Sequence, residues 1–196
     1  MTHGNLHIGW AHGDITPPRK TLVQGQFHAR ISDQVISPLT ATALALEVKG
    51  EHGDIEQVVF LSCDLAADAF KADLLRELAG RCPGLDPRKL TVNATHTHNA
   101  PAMQRGWHEE PEGDPDFMNP DEYREWLAVQ LADVVAEAWD GRQPGSISRG
   151  FGYAVVELFV DYGIRIRCRS HALQTFGSSA ESVGRERLTY ERECDI

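Results

Sequence analysis

Apolar residues alternate weakly over residues 6–15 and stop at Thr16-Pro17-Pro18, which predicts an opening strand closed by a rigid turn. Residues 21–37 have no period and read as loop, with Gly25 and the bulky Phe27 inside it. Alternation returns over residues 41–49, residues 50–54 read as a turn, and residues 57–63 (QVVFLSC) read as a second, more buried strand antiparallel to the one before. Phe70, Leu74, Leu75 and Leu78 then recur at helical spacing, and Cys82-Pro83-Gly84 stops that helix. Residues 90–94 resume as a strand, so strand, helix and strand have the length of a βαβ unit. Such a unit delivers the C-terminal ends of both strands to one sheet edge, where open α/β sheets bind ligands.

Further on, residues 106–119 (GWHEEPEGDPDFMN) form an acidic, proline-containing loop, read either as a solvated turn or as a lid carried by Trp107 and Phe117. Asn119-Pro120 caps the longest helix, residues 121–140, whose positions Tyr123, Leu127, Leu131, Val134, Val135 and Ala138 form one apolar stripe. Gly141 ends it, and residues 147–156 predict another strand. The fold class is α/β: a mixed sheet with a βαβ unit and flanking helices.

Chemistry enters at the end of the third predicted strand, in Thr95-His96-Thr97-His98-Asn99-Ala100-Pro101. Residues two apart on an extended strand point the same way, so His96 and His98 are expected to share one face, with Asp64 beside them at the same edge. Two imidazoles at a strand end can begin a metal site or an acid/base pair. On spacing alone they equally fit two histidines bonded to backbone and solvent, since the chain has nine. The flanking threonines can act as supporting hydroxyls, and the proline turns the chain where the histidines emerge.

Composition narrows the options. Of 196 residues, 41% are hydrophobic, enough for a core. A formal net charge of −10 leaves no basic stripe for nucleic acid. No apolar run reaches membrane-spanning length, and the opening residues lack a signal-peptide core, so the chain is read as cytoplasmic. The four cysteines show no CxxC spacing, and Cys63 reads as a small buried hydrophobe. Oligomeric state is left open.

Three segments resemble the N-terminal part of the neutral/alkaline (non-lysosomal) ceramidase family, over residues 6–156. They are Gly13-Asp14-Ile15-Thr16-Pro17, Val58-Val59-Phe60-Leu61-Ser62-Cys63-Asp64-Leu65, and Leu90-Thr91-Val92-Asn93-Ala94-Thr95-His96-Thr97-His98-Asn99-Ala100-Pro101. The last is similar to that family's Ala-Thr-His-Thr-His-Ser-Gly-Pro signature. The resemblance implies the N-terminal part of a larger metalloamidase domain, hydrolysing an N-acyl bond of a ceramide-type, small-molecule or lipid-like substrate with Zn2+. It implies His96 as a zinc ligand, His98 as a catalytic group at the substrate or reacting oxygen, and Asp64 as a supporting acceptor that holds a histidine tautomer. Zinc in such a site lowers the pKa of bound water to about 7 and polarises the carbonyl.

The resemblance fades after Val156. The family draws a second histidine, a glutamate and a tyrosine ligand from later sequence, and continues here with an Asn-Arg stretch where this chain reads Glu157-Leu158-Phe159-Val160-Asp161. Residues 1–156 are therefore read as an incomplete ceramidase-like α/β domain, and residues 157–196 as a divergent tail, frameshifted, replaced or disordered. Within that tail, His171, Glu181, Glu186 and Tyr190 carry suitable atoms without the family's pattern. The expected function is a truncated zinc-dependent amidohydrolase, inactive alone. The alternative is a non-catalytic metal-binding or assembly module. An unrelated α/β hydrolase using His96 or His98 as general base ranks last, because no Gly-x-Ser-x-Gly elbow is present.

Overall fold

The computed structural model describes residues 5–50 and 53–148, nearly all within one compact unit, Met1–Ile147. The divergent tail and most of the strand expected at 147–156 lie outside the described residues.

The strands are β1 (Asn5–Asp14), β2 (Lys20–Thr21), β3 (Thr40–Lys49), β4 (Ile55–Cys63), β5 (Leu90–Ala94), β6 (Phe117–Met118) and β7 (Gln143–Pro144). Two helices, α1 (Lys71–Leu78) and α2 (Pro120–Asp140), complete the set with a 3-10 turn at Pro87–Lys89. Five strands form one sheet in the order β5-β4-β3-β1-β7, while β2 and β6 pair separately in parallel. β1/β3, β3/β4 and β1/β7 are antiparallel, and β4/β5 is parallel across α1. The architecture is the expected mixed α/β sheet with a βαβ unit.

One face of that sheet is built from small residues. Gly9, Ala11 and Gly13 of β1 stand opposite Ala45, Ala43 and Ala41 of β3, and α2 packs on them. The approach is close: a Cβ added to Gly9 would lie 1.8 Å from the Ala138 carbonyl oxygen, and one on Gly13 would lie 2.4 Å from Val134 Cγ2. The stripe read from the sequence, Tyr123 to Ala138, is buried there. The Tyr123 hydroxyl donates to the Ile15 carbonyl at 2.9 Å, which lets a phenol sit in the core without an orphaned donor. Across the ladder on the other face, Trp10 (61%) and Phe60 (47%) flank Leu44 and stay exposed.

α1 ends at Leu78, before the predicted stop at Cys82-Pro83-Gly84, because the chain leaves the helical path at Ala79 (ψ 113) into a turn whose positive φ, 83, is taken by Gly80 and which Arg81 N–H closes on the Leu78 carbonyl at 3.0 Å. α2 starts where expected. Asn119 accepts from the backbone N–H groups of Asp121 and Glu122, and Glu122 accepts from the Asn119 N–H, a closed capping box.

Candidate functional site

β1, β4 and β5 run in the same direction, so their C-terminal ends meet at one edge of the sheet. Residues 13–17, 58–65 and 90–101 therefore converge there. Asp14 closes β1, with one carboxylate oxygen accepting from Thr16 N–H at 2.7 Å; its pKa is lowered chiefly by hydrogen bonding from Thr16. Asp64 follows β4 directly. Its Oδ2 accepts from the Thr40 N–H (3.0 Å) and hydroxyl (2.6 Å), and its Oδ1 from the Thr95 hydroxyl (3.3 Å). The carboxylate thus ties the ends of β3, β4 and β5 together.

Past Ala94, the ladder continues by backbone alone: Thr95 N–H donates to Cys63 O (3.0 Å) and His96 N–H to Leu65 O (2.9 Å). The two histidines do not lie on the strand, contrary to the expectation from alternation. β5 ends at Ala94, and His96 takes φ 65, the one positive φ outside glycine among the described residues. Left-handed backbone costs an L-residue roughly 1–2 kcal/mol, and such outliers collect at functional sites. The turn brings the rings together all the same, with centroids 5.1 Å apart and planes at 73°.

His96 Nδ1 lies 2.7 Å from the Ala66 carbonyl. A carbonyl only accepts, so Nδ1 carries the hydrogen, and in the neutral ring Nε2 keeps the lone pair. Asp64 was expected to set a histidine tautomer; at His96 the acceptor is instead the backbone of Ala66, while the Asp64 oxygens go to Thr40 and Thr95. No motif marks a carbonyl, so this partner could not be read from sequence.

Two further residues were missed. The loop closed by the Leu22/Ile31 bridge is stitched to residues 100–102 by Gln24 N–H to Ala100 O (2.9 Å), Ala102 N–H to Leu22 O (2.7 Å) and the Val23/Pro101 bridge. From that loop, the Arg30 guanidinium donates to the His98 and Gln24 carbonyls and to Asn99 Oδ1. Gly25, with φ 103, lies directly against the His98 ring. Only the lone glycine in an irregular stretch hinted at this.

Two hollows flank these stitched segments. A cleft of about 960 Å³ is lined in part by Thr16, Arg19, Arg30, Asp64, Thr97 and Asn99. A smaller one of about 350 Å³ is lined in part by Gly25, Phe27, Ala102, Trp107 and His108. Of the two aromatics on which the lid alternative rests, Trp107 is 75% exposed beside the smaller hollow, whereas Phe117 is buried in β6. His108 Nε2 lies 3.1 Å from the Gln26 carbonyl and ties the acidic loop to the Gly25 segment.

Neighbouring Cys63 is no nucleophile. Burial, with the Asp64 charge as the lesser cause, pushes its thiol up to about 12. Among the described residues, no three His, Cys, Asp or Glu side chains gather in a way that could hold a metal. A catalytic zinc needs about three protein ligands, so the described residues do not themselves fit a complete zinc centre. What they present is a pair of imidazoles, one with a backbone-fixed tautomer.

No protein-family model matches the sequence, and no curated protein matches it. Among solved structures, neutral ceramidase from Pseudomonas aeruginosa is similar in fold, with a TM-score of 0.57 and 18% identity, over 74% of this chain and 23% of that one. A ceramidase complexed with C2 is similar at a TM-score of 0.54 and 18% identity, over 72% of this chain and 22% of that one. This chain thus has the mixed α/β fold of one part of neutral ceramidase, and it spans less than a quarter of the length of the ceramidases it resembles.

Proposed function

We propose that the chain is the histidine-bearing part of a ceramidase-like amidohydrolase acting on N-acyl amides of lipid-like substrates. The observation that carries this reading is the edge itself. On a ceramidase-like fold, His96 is held by the Ala66 carbonyl with Nε2 presented, and His98 stands against it. In this reading His96 contributes one ligand to a zinc centre whose other ligands lie outside the described residues. His98, with its ring beside that position, holds or moves the proton of the reacting group. Asp64 fixes the frame that carries both histidines by clamping Thr40 and Thr95.

One observation favours a second reading. A lone pair of imidazoles without a third ligand among the described residues also suits a non-catalytic metal-binding module. Hydrolysis of an N-acylsphingosine separates the two, measured with zinc and after chelation, in the 196-residue chain and in any longer form that carries it. The chain alone is expected to turn over negligibly, and the longer form to need zinc and to lose activity on His96→Ala while staying folded. Hydrolysis that survives chelation, or a His96→Ala variant at full rate, contradicts the proposal.

A further inference from the structure

Within the histidine motif, Asn99 N–H donates to the Thr97 hydroxyl at 3.2 Å, which shapes the turn about residue 98 but bonds no atom of the His98 ring. The segment after β5 is out of the ladder by residue 97, both rings are exposed, and an exposed imidazole ordinarily samples several rotamers. What the structure offers instead comes from a distant part of the sequence. Arg30 reaches three acceptors at once, the carbonyls of His98 and Gln24 and the side-chain oxygen of Asn99. Its own backbone carbonyl accepts from Val23 N–H at 2.8 Å, so the clamp is anchored at the neck of the loop it stands on. Its Nε is enclosed with no acceptor among the described residues, a burden that a merely decorative surface arginine would not carry.

Gly25 supplies the other half. It sits at φ 103, and a Cβ built there would fall 2.4 Å from His98 Cγ and 2.8 Å from its Nδ1. Only glycine suits both demands, the left-handed backbone and the contact with a ring. The Gly25 backbone is a floor for the imidazole, and the Arg30 guanidinium pins the peptide that bears it.

We propose that Gly25 and Arg30 are positioning residues for His98: together they fix its ring beside His96. The geometry stands by itself, and its meaning for chemistry rests on the metalloamidase reading above. An imidazole that must act beside a metal-binding partner gains from being held before the ligand arrives, as outer-shell partners commonly do for metal sites. The flat, branched guanidinium suits the task because it can serve several acceptors at fixed angles, which a lysine cannot.

The test is side-chain NMR of the 196-residue chain, reading the ring-to-ring NOE between His96 and His98 together with Zn(II) affinity by titration. Arg30→Ala, Arg30→Lys and Gly25→Ala are compared with wild type, and folding is checked by thermal melts. In Arg30→Ala and Gly25→Ala the NOE is expected to vanish and zinc binding to weaken about tenfold, while the His96 Nδ1–H signal persists. Arg30→Lys keeps the charge and the fold but is expected to recover only part of the NOE, which a general stabilising role of the charge would restore fully. The inference is overturned if folded Arg30→Lys and Gly25→Ala both retain the wild-type NOE. If the NOE depends on Arg30 and Gly25 while zinc affinity does not, the positioning stands and its link to metal binding falls.

Discussion

His96 is the residue where local physics and site geometry meet. Sequence spacing placed two histidines at a strand end, and that much of the site was legible: Asp64, His96 and His98 do converge on one edge. The expected mechanism of convergence was alternation along a strand, and the structure replaces it with a left-handed residue at φ 65. Side-chain pattern cannot reveal a backbone sign change at a non-glycine position, nor that the Ala66 carbonyl selects the tautomer. The left-handed backbone has a testable consequence. His96→Gly and His96→Ala both delete the imidazole and its bond to Ala66, but only alanine keeps the left-handed penalty. His96→Gly is therefore expected to be the more stable of the two by roughly 1 kcal/mol in urea denaturation. Equal stability, or the reverse order, would show that position 96 carries no such strain.

At the scale of elements, the periodicities carried most of the fold. The alternating strands, the βαβ unit and the apolar stripe of α2 all follow from spacing that survives in the structure. What pattern did not disclose is how closely α2 approaches, because Gly9, Ala11 and Gly13 register against alanines only once β1 and β3 are paired. Nor did it disclose what joins the two helices. Asp73 of α1 accepts from Arg76 at 2.7 Å and from Arg124 of α2 at 2.8 Å. Partial burial raises the pKa of this carboxyl, but hydrogen bonds from Arg76 and Arg124 outweigh it and hold the group below its ordinary value. A depressed carboxylate stabilises the fold above the unfolded value of about 4, and that contribution is lost as pH falls through the lowered native value. Asp73→Asn is expected to be less stable than wild type at neutral pH, with the gap closing in acid. Stability curves measured from pH 7 down to pH 2 check this, and a gap independent of pH would refute the ion-pair account.

Across the whole molecule, one sheet edge gathers three segments far apart in sequence, and the loop carrying Gly25 and Arg30 buttresses the histidines from outside. The fold is that of one part of neutral ceramidase, spanning 23% of the Pseudomonas aeruginosa chain. That fold was legible because its motifs lie where strands end. The ligand set was not, since two imidazoles do not specify the rest of a metal centre. In the proposed function, this edge presents His96 Nε2 to a metal. The most direct test titrates Zn(II) into the 196-residue chain while following the side-chain nitrogens of each histidine. Zinc is expected to shift His96 Nε2 and perturb His98, with the His96 Nδ1–H still bonded to the Ala66 carbonyl. A His96 ring that takes zinc through Nδ1, or one left untouched at zinc concentrations that perturb His98, would contradict the assignment of this edge as part of a metalloamidase.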